Sequence, residues 1–264
     1  MTPPIALTVA GSDPSGGAGL QADLKTFAAF EVYGAAVVTC ATAQDTTGVR
    51  GVVRLDPAFV RAQIAAVLDD LHVGAAKTGM LGTAEIVLAV AEAFAASPTP
   101  IPLVVDPVMV ATSGDPLLDA DAVDAVRRRL LPLAALATPN LPEAAVLAGR
   151  PVEDAAGMRD AARAIRDLGA RAVLVKGGHA SGDSTDLLLD EDGFRELRAE
   201  RLDVGPLHGG GCSLSAAIAA SLASGRLLAQ AVGDAKEWVT RAIRTAPAVG
   251  RGARPLDHRV RPRR

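Results

Sequence analysis

Aromatic side chains are scarce in this chain: one Trp, one Tyr and five Phe among 264 residues. With 49% hydrophobic residues and a mean hydropathy of +0.26, a sizeable core must be filled by aliphatic side chains and alanine. Cysteine is equally sparse. Cys40 and Cys212 lie far apart and fit no metal-ligand spacing, which argues against a disulfide framework or a zinc site. No sign of charge dominates, since 27 Lys and Arg face 30 Asp and Glu for a net charge of −3. Nothing global therefore draws the protein to nucleic acid or to an anionic membrane. Long apolar runs are missing too. Ile5 to Ala10 is short, has no basic region before it, and is too brief for a signal core or a bilayer span. A reduced, cytoplasmic protein is expected.

What the chain does have is alternation of strand-like and helix-like segments from end to end. Ile5–Ala10 reads as a strand and Leu20–Phe30 as a helix, followed by a Val- and Thr-rich strand at Ala35–Ala41. Asp56-Pro57 opens a helix with Val60, Ile64, Val67, Leu68 and Leu71 on one face. Strands at Val73–Lys77, Leu103–Asp106 and Ala172–Lys176 alternate with helices at Thr83–Ala95, around Val123–Leu130 and at Met158–Leu168. A further strand-like run ends at Asn140. Asp186–Leu189 and Phe194–Leu202 flank Asp190-Glu191-Asp192-Gly193 and read as a hairpin, and two helices, Cys212–Ser224 and Leu227–Arg244, follow. Repeated strand–helix units imply an α/β fold with a mostly parallel sheet covered on both faces. One domain over residues 1–250 is expected, with a basic, mobile tail over 251–264.

Ligands of such sheets bind beyond the carboxyl ends of the strands. Polar residues gather there: Asp13 and Ser15, Gln44 and Asp45, Lys77, Asp106, Asn140 and Lys176. Gly11-Ser-Asp-Pro-Ser-Gly-Gly-Ala-Gly19 is glycine-rich but has Gly17 and Ala18 where a Walker A loop needs Lys and Ser or Thr, and it lacks dinucleotide spacing. It still allows a small ligand to approach closely, with Asp23 one helical turn further on. The Gln44 carboxamide sets a donor beside an acceptor, which suits the edge of an aminopyrimidine or a pyridine. Asp106 ends a buried strand, where an acid is costly unless it binds a cation or is well paired. With Glu143 it forms a carboxylate pair able to hold Mg²⁺ against phosphates, and Lys176 can meet a phosphate directly.

The densest signal is Leu207-His208-Gly209-Gly210-Gly211-Cys212, which leads straight into an alanine-rich helix. Glycines can turn backbone N–H groups inward, and the first helical turn leaves N–H groups without partners, so the segment suits an anion. A thiol placed there, Cys212, is expected to have a lowered pKa and to serve as a base or a nucleophile facing a bound anion.

Taken together, Ala10 to Thr26, Lys77-Thr-Gly-Met80, Asp106-Pro-Val-Met109, Ser113-Gly-Asp-Pro-Leu-Leu118, Thr138-Pro-Asn-Leu-Pro-Glu-Ala144, Lys176-Gly-Gly-His179 and the His208–Cys212 motif resemble the hydroxymethylpyrimidine/phosphomethylpyrimidine kinases of thiamine biosynthesis, in the ribokinase-like superfamily. The resemblance runs from about Ala6 to His258. It implies a three-layer α/β/α sandwich, a homodimer, and ATP-dependent phosphorylation of the pyrimidine alcohol and then of its monophosphate. It also implies that Gln44 reads the aminopyrimidine edge while Gly11, Asp23, Met80 and Val108 line the ring pocket. Asp106 and Glu143 would organise Mg²⁺, Asn140 and Lys176 would bind ATP, and Gly209, Gly210, Gly211 and Cys212 would form the catalytic segment.

Three departures stand out. Gly210 replaces the family's usual Thr, Ser213 replaces another Thr, and Gly250–His258 keeps only part of the closing glycine-rich motif. A pyridoxal or pyridoxine kinase and a non-catalytic pyrimidine sensor are the alternatives. A thiol hydrolase built on His208 and Cys212 lacks an orienting acid.

Overall fold

In a computed structural model the described residues are 2–111, 114–115, 117–177 and 184–263. In chain order the elements begin with β1 (Ile5–Ser12), α1 (Gly19–Ala29), β2 (Tyr33–Asp45), β3 (Gly48–Arg54), α2 (Pro57–Asp70), β4 (Ala75–Thr78) and α3 (Ala84–Ala95). Next come β5 (Leu103–Val105), α4 (Ala122–Ala125), a π-turn at Val126–Leu130, β6 (Ala134–Ala137), α5 (Leu141–Ala148), α6 (Ala155–Asp167) and β7 (Val173–Val175). The chain continues through β8 (Ser184–Asp190), β9 (Gly193–Ala199), β10 (Leu207–His208), α7 (Gly210–Ala223), α8 (Leu228–Arg244) and β11 (Arg254–Pro255).

Nine strands form one sheet in the order β3-β2-β1-β4-β5-β6-β7-β8-β9. Every pairing from β2 across to β7 is parallel, and the antiparallel pairings lie at the two edges. Side chains alternate between two cores with the period of a strand. Leu103 and Val105 of β5 face a core shared with α2, α3, α5 and α6, while Val104 faces one built on α1, α7 and α8. The three-layer expectation holds, and alanine fills much of the α7 layer, where Ala216, Ala217, Ala219 and Ala220 are buried. No described helix is long and apolar enough to cross a membrane.

Two elements depart from the expected boundaries. The second strand runs on to Asp45 and folds back as β3, pairing Cys40 with Arg54 and Asp45 with Gly48. Val53 on this edge strand is 70% exposed, so β3 carries little of the apolar alternation that marks a strand in sequence. The strand-like run expected to end at Asn140 stops at Ala137, and a helix not expected from the sequence, α5, starts between Pro139 and Pro142. Asn140 accepts from the Glu143 N–H at 2.9 Å, the Glu143 carboxylate accepts from the Asn140 N–H at 2.8 Å, and Pro142 sits in the first turn, where no helical N–H is required.

The basic tail is not loose between Arg254 and Val260. Strand β11 pairs with β10, Leu256 enters the α7–α8 core, and the Trp238 indole N–H donates to the Val260 carbonyl at 2.7 Å. Satisfying that buried indole donor overrides the tail's polar composition. His258 Nε2 lies 2.9 Å from the Ser213 hydroxyl on α7. Burial, seconded by Lys25, pushes the His258 imidazole down to about 4. Unfolded, the ring titrates near 6.5. The unfolded chain therefore binds the extra proton between those values, and the stability gained from a neutral His258 is lost as pH falls from about 6.5 towards 4. Urea midpoints measured from pH 7 to 4.5 should fall more steeply for the native chain than for His258→Gln. Equal slopes would remove His258 from the acid response.

Candidate functional site

The loops beyond the carboxyl ends of β1, β4, β5, β6 and β7 meet the N-termini of α1 and α7. Gly209 caps α7 at φ +81°, and a Cβ there would collide with the Gly17 carbonyl oxygen, so only glycine lets the two loops touch backbone to backbone. A Cβ on Gly211 would lie 3.1 Å from Lys176 Nζ and 3.9 Å from Asp106 Oδ2. The first turn of α7, with its unsatisfied N–H groups, thus abuts an ion pair at the strand ends. Gly210 has room for a side chain, because a Cβ would meet only Leu256 Cδ1 at 4.0 Å. Its departure from threonine is therefore not forced by space.

Asp106 is 2% exposed and multiply held. Lys176 Nζ donates to its Oδ1 at 2.9 Å, Thr138 Oγ1 donates to the same oxygen at 3.1 Å, and Ser215 Oγ donates to Oδ2 at 3.1 Å. Burial opposes ionisation, but the Lys176 and Lys77 ammonium groups overcome it and hold Asp106 below the usual carboxylate range. Burial likewise disfavours the Lys176 ammonium, yet Asp106 and Glu143 raise its pKa. Asn140 and Lys176 lie side by side across a bridge between the β6 and β7 loops. Glu143 is 6% exposed; burial pushes its carboxyl up to about 6, against the opposing pull of Lys176.

Cys212 lies at this junction, in the first turn of α7. The Gly19 N–H hydrogen-bonds its sulfur, and the charges of Lys77, Asp23 and Asp106 act on it. The expected lowering of its pKa is overturned. Burial pushes the thiol up to about 11, and Asp23 and Asp106 offset the help from Lys77. The residue is only half-buried, yet the helix terminus and the glycines do not outweigh its partial removal from water beside two carboxylates.

Asp23 also departs from expectation. It is 0% exposed, its oxygens lie 3.0 and 3.2 Å from Lys77 Nζ, and Thr8 Oγ1 donates to it at 2.7 Å. Enclosed in this way it lies below the site and does not line a ring pocket. Gly11 and Met80 do come together, since a Cβ on Gly11 would sit 3.2 Å from Met80 Sδ and 2.8 Å from Cys40 Sγ. Val108 is half-buried on the loop after β5, where its N–H donates to the Asp106 carbonyl. Ser113, Pro116, Gly178 and His179 of the quoted motifs lie outside the described residues.

Gln44 is fixed by partners that sequence reasoning passed over. Its Oε1 accepts from Thr42 Oγ1 at 3.1 Å, and its Nε2 lies 3.3 Å from His208 Nε2, which is 2.8 Å from Asp13 Oδ2. Asp13 in turn accepts from the N–H groups of Ser15 and Ala18. Burial works against the Asp13 anion, but His208, Ser15 and Ala18 together keep its pKa lowered. His208 thus ties the β1 loop to the start of α7 and lies beside Gln44, and its place before three glycines was the available signal. The hydrogen of His208 Nε2 goes to the Asp13 carboxylate, so that nitrogen does not accept from the Gln44 amide, and Gln44 keeps its NH₂ donors and one acceptor lone pair for a ligand. Gln44→Ala should weaken binding of an aminopyrimidine by roughly 1–3 kcal/mol and leave ATP binding nearly unchanged. Calorimetric titration of both ligands checks this, and equal losses would make Gln44 a structural residue.

The phosphomethylpyrimidine kinase family model matches residues 13–257. A hydroxymethylpyrimidine/phosphomethylpyrimidine kinase of Streptomyces coelicolor is 50% identical over 258 residues, covering 98% of this chain and 95% of its own. The crystal structure of an ADP complex of Bacillus subtilis pyridoxal kinase superimposes with a TM-score of 0.91 at 37% identity, covering 98% of both chains. A phosphomethylpyrimidine kinase of Clostridium difficile gives a TM-score of 0.81 at 40% identity, covering 90% of this chain and 99% of that one.

Proposed function

The chain belongs to the phosphomethylpyrimidine kinase family, and on that premise we propose that it moves the γ-phosphate of ATP first to the hydroxyl of 4-amino-5-hydroxymethyl-2-methylpyrimidine and then to the phosphate of that product. The observation that carries this reading is the meeting of the α7 N-terminus and Cys212 with the Asp106–Lys176 pair at the strand ends. Unpaired helix N–H groups and a fixed ammonium are donors suited to a transferring phosphoryl group. Such transfers depend chiefly on positioning and charge stabilisation.

In this reading Gln44 orients the ring, and Lys176 offers its charge to the phosphates. The Asn140 side-chain oxygen is committed to the α5 cap, so its NH₂ is the donor a phosphate would use. Asp106 and Glu143 are hard oxygen donors, and two carboxylates suit Mg²⁺, which usually takes one or two together with substrate phosphates. When bound, the metal supplies neutralisation of phosphate charge. Glu143→Gln should raise the Mg²⁺ concentration giving half-maximal rate about tenfold or more, and an unchanged requirement would exclude Glu143 from the site.

Mass-spectrometric analysis of products formed from the pyrimidine alcohol with ATP and Mg²⁺ tests the whole reading. Monophosphate followed by diphosphate is expected, and no phosphorylated product would overturn it. The likeness to a pyridoxal kinase supports a second reading, in which vitamin B6 alcohols are also phosphorylated. Comparing kcat/KM for the two alcohols ranks them.

A further inference from the structure

The stretch Gly250–His258 keeps part of the closing glycine-rich motif, and none of the ring or phosphate contacts described above draws on it. Its first residues meet the tip of the β2–β3 hairpin. Thr46 lies in that turn, just beyond Gln44, and three successive N–H groups converge on it. Arg251 and Gly252 donate to its Oγ1 at 3.2 and 3.1 Å, and Ala253 donates to its carbonyl at 2.8 Å. A Cβ on Gly252 would strike the Thr46 carbonyl oxygen, and one on Gly250, at φ +75°, would strike the Thr46 hydroxyl. Glycine at both positions lets the two backbones touch.

This hold falls where the central sheet gives out. The pairing of β1 with β2 ends at Ser12 and Ala41, so the backbone from Thr42 to Asp45 is laddered to β3 and no longer to β1. A two-stranded ribbon is marginal in water without further packing, and Gln44 lies on this one. Inside the turn Asp45 bonds locally, its carboxylate accepting from Thr47 and Arg50. A second outside hold, the Val49 N–H on Asp115 Oδ2, is a single longer bond at 3.3 Å.

The rest of the stretch leads back to the site. Strand β11 sets Pro255 opposite His208, whose Nε2 lies 3.3 Å from Gln44 Nε2. Leu256 is buried with α7 and α8, and His258 Nε2 lies 2.9 Å from the hydroxyl of Ser213, the residue after Cys212. Gln44 is therefore flanked by two points, Thr46 and His208, that the same short stretch grips. That stretch is itself anchored on the helix carrying Cys212.

We propose that residues 250–258 are a strap that fixes the ring-reading hairpin against the catalytic helix, with Thr46 as a positioning residue for the pyrimidine. The inference rests on the reading that Gln44 orients the ring. Thr46→Val keeps the shape of the side chain and removes the oxygen that takes two N–H groups, whereas Thr46→Ser keeps that oxygen. Thr46→Val should raise KM for the pyrimidine alcohol about tenfold, with kcat and KM for ATP nearly unchanged. Thr46→Ser should behave as the native chain. Gly252→Ala pushes the strap away from the same residue and should match Thr46→Val.

Hydrogen exchange of the amides in 42–53 needs no substrate, and it should quicken in Thr46→Val and Gly252→Ala but not in Thr46→Ser. Unchanged exchange in Thr46→Val would overturn the strap, whatever the chain phosphorylates. Faster exchange with an unchanged KM for the alcohol, or with an equal rise in KM for ATP, would overturn the positioning role. A native chain that phosphorylates no pyrimidine alcohol would instead overturn the kinase reading, and the exchange result would still decide for or against the strap.

Discussion

Cys212→Ala is expected to lower kcat by ~10²–10⁴-fold, the usual cost of removing a general base, while ATP still binds. The substrate hydroxyl must give up a proton as it attacks the γ-phosphate, and Cys212 lies where the α1 and α7 termini meet the Asp106–Lys176 pair. Because the thiol sits at about 11, it is protonated in the resting site near neutral pH. The base form is the thiolate, so the native rate should climb with pH between about 6 and 9. Cys212→Asp should recover part of the lost activity, since a carboxylate can also accept the proton, and its rate should level off at lower pH. Phosphoryl transfer leans on electrostatic positioning, which places the loss in Cys212→Ala towards the low end of the range. A pH–rate profile of the three proteins decides the matter. Full activity in Cys212→Ala sinks the base assignment, and a trapped phospho-cysteine would make the sulfur a nucleophile instead.

The second large effect is expected at Lys77. Its ammonium is 0% exposed and bonded to both oxygens of Asp23, which is equally enclosed. Burial alone would depress the ammonium, but Asp23, Cys212 and Asp106 reverse that and raise its pKa. Lys77→Met strands a buried carboxylate and should cost about 3–5 kcal/mol of stability, read from urea unfolding. Lys77→Met combined with Asp23→Asn removes both charges and should regain most of that loss. Stability and chemistry should then separate. The double variant is expected to be only modestly slowed, because it loses the Lys77 charge that favours the Cys212 thiolate together with the smaller opposing charge of Asp23. A double variant that is stable and fully active would reduce the pair to a structural device.

These two expectations differ in how far the sequence leads to them. Cys212 is legible because glycines followed at once by a helical pattern mark an anion-binding terminus whatever surrounds it. The layers are legible for a similar reason: runs such as Leu103-Val104-Val105 must be covered on both faces, and helical faces such as Val60 and Ile64 supply the cover. The positions of Asp106, Asn140 and Lys176 at strand ends follow from that alternation. Long-range pairing is what the sequence does not carry. Lys77 and Asp23 are 54 residues apart and meet only because β4 lies beside β1 and α7 closes over both. The same closure reverses the expected ionisation of Cys212, since desolvation depends on what covers a group and not on its neighbours in sequence. Gln44 lies beside His208, 164 residues away, and the basic tail is held by the Trp238 indole. Local propensity set the strands, the helices and the anion-binding turn; which charges ended up buried together was decided by tertiary packing, because only the assembled layers determine where water is excluded.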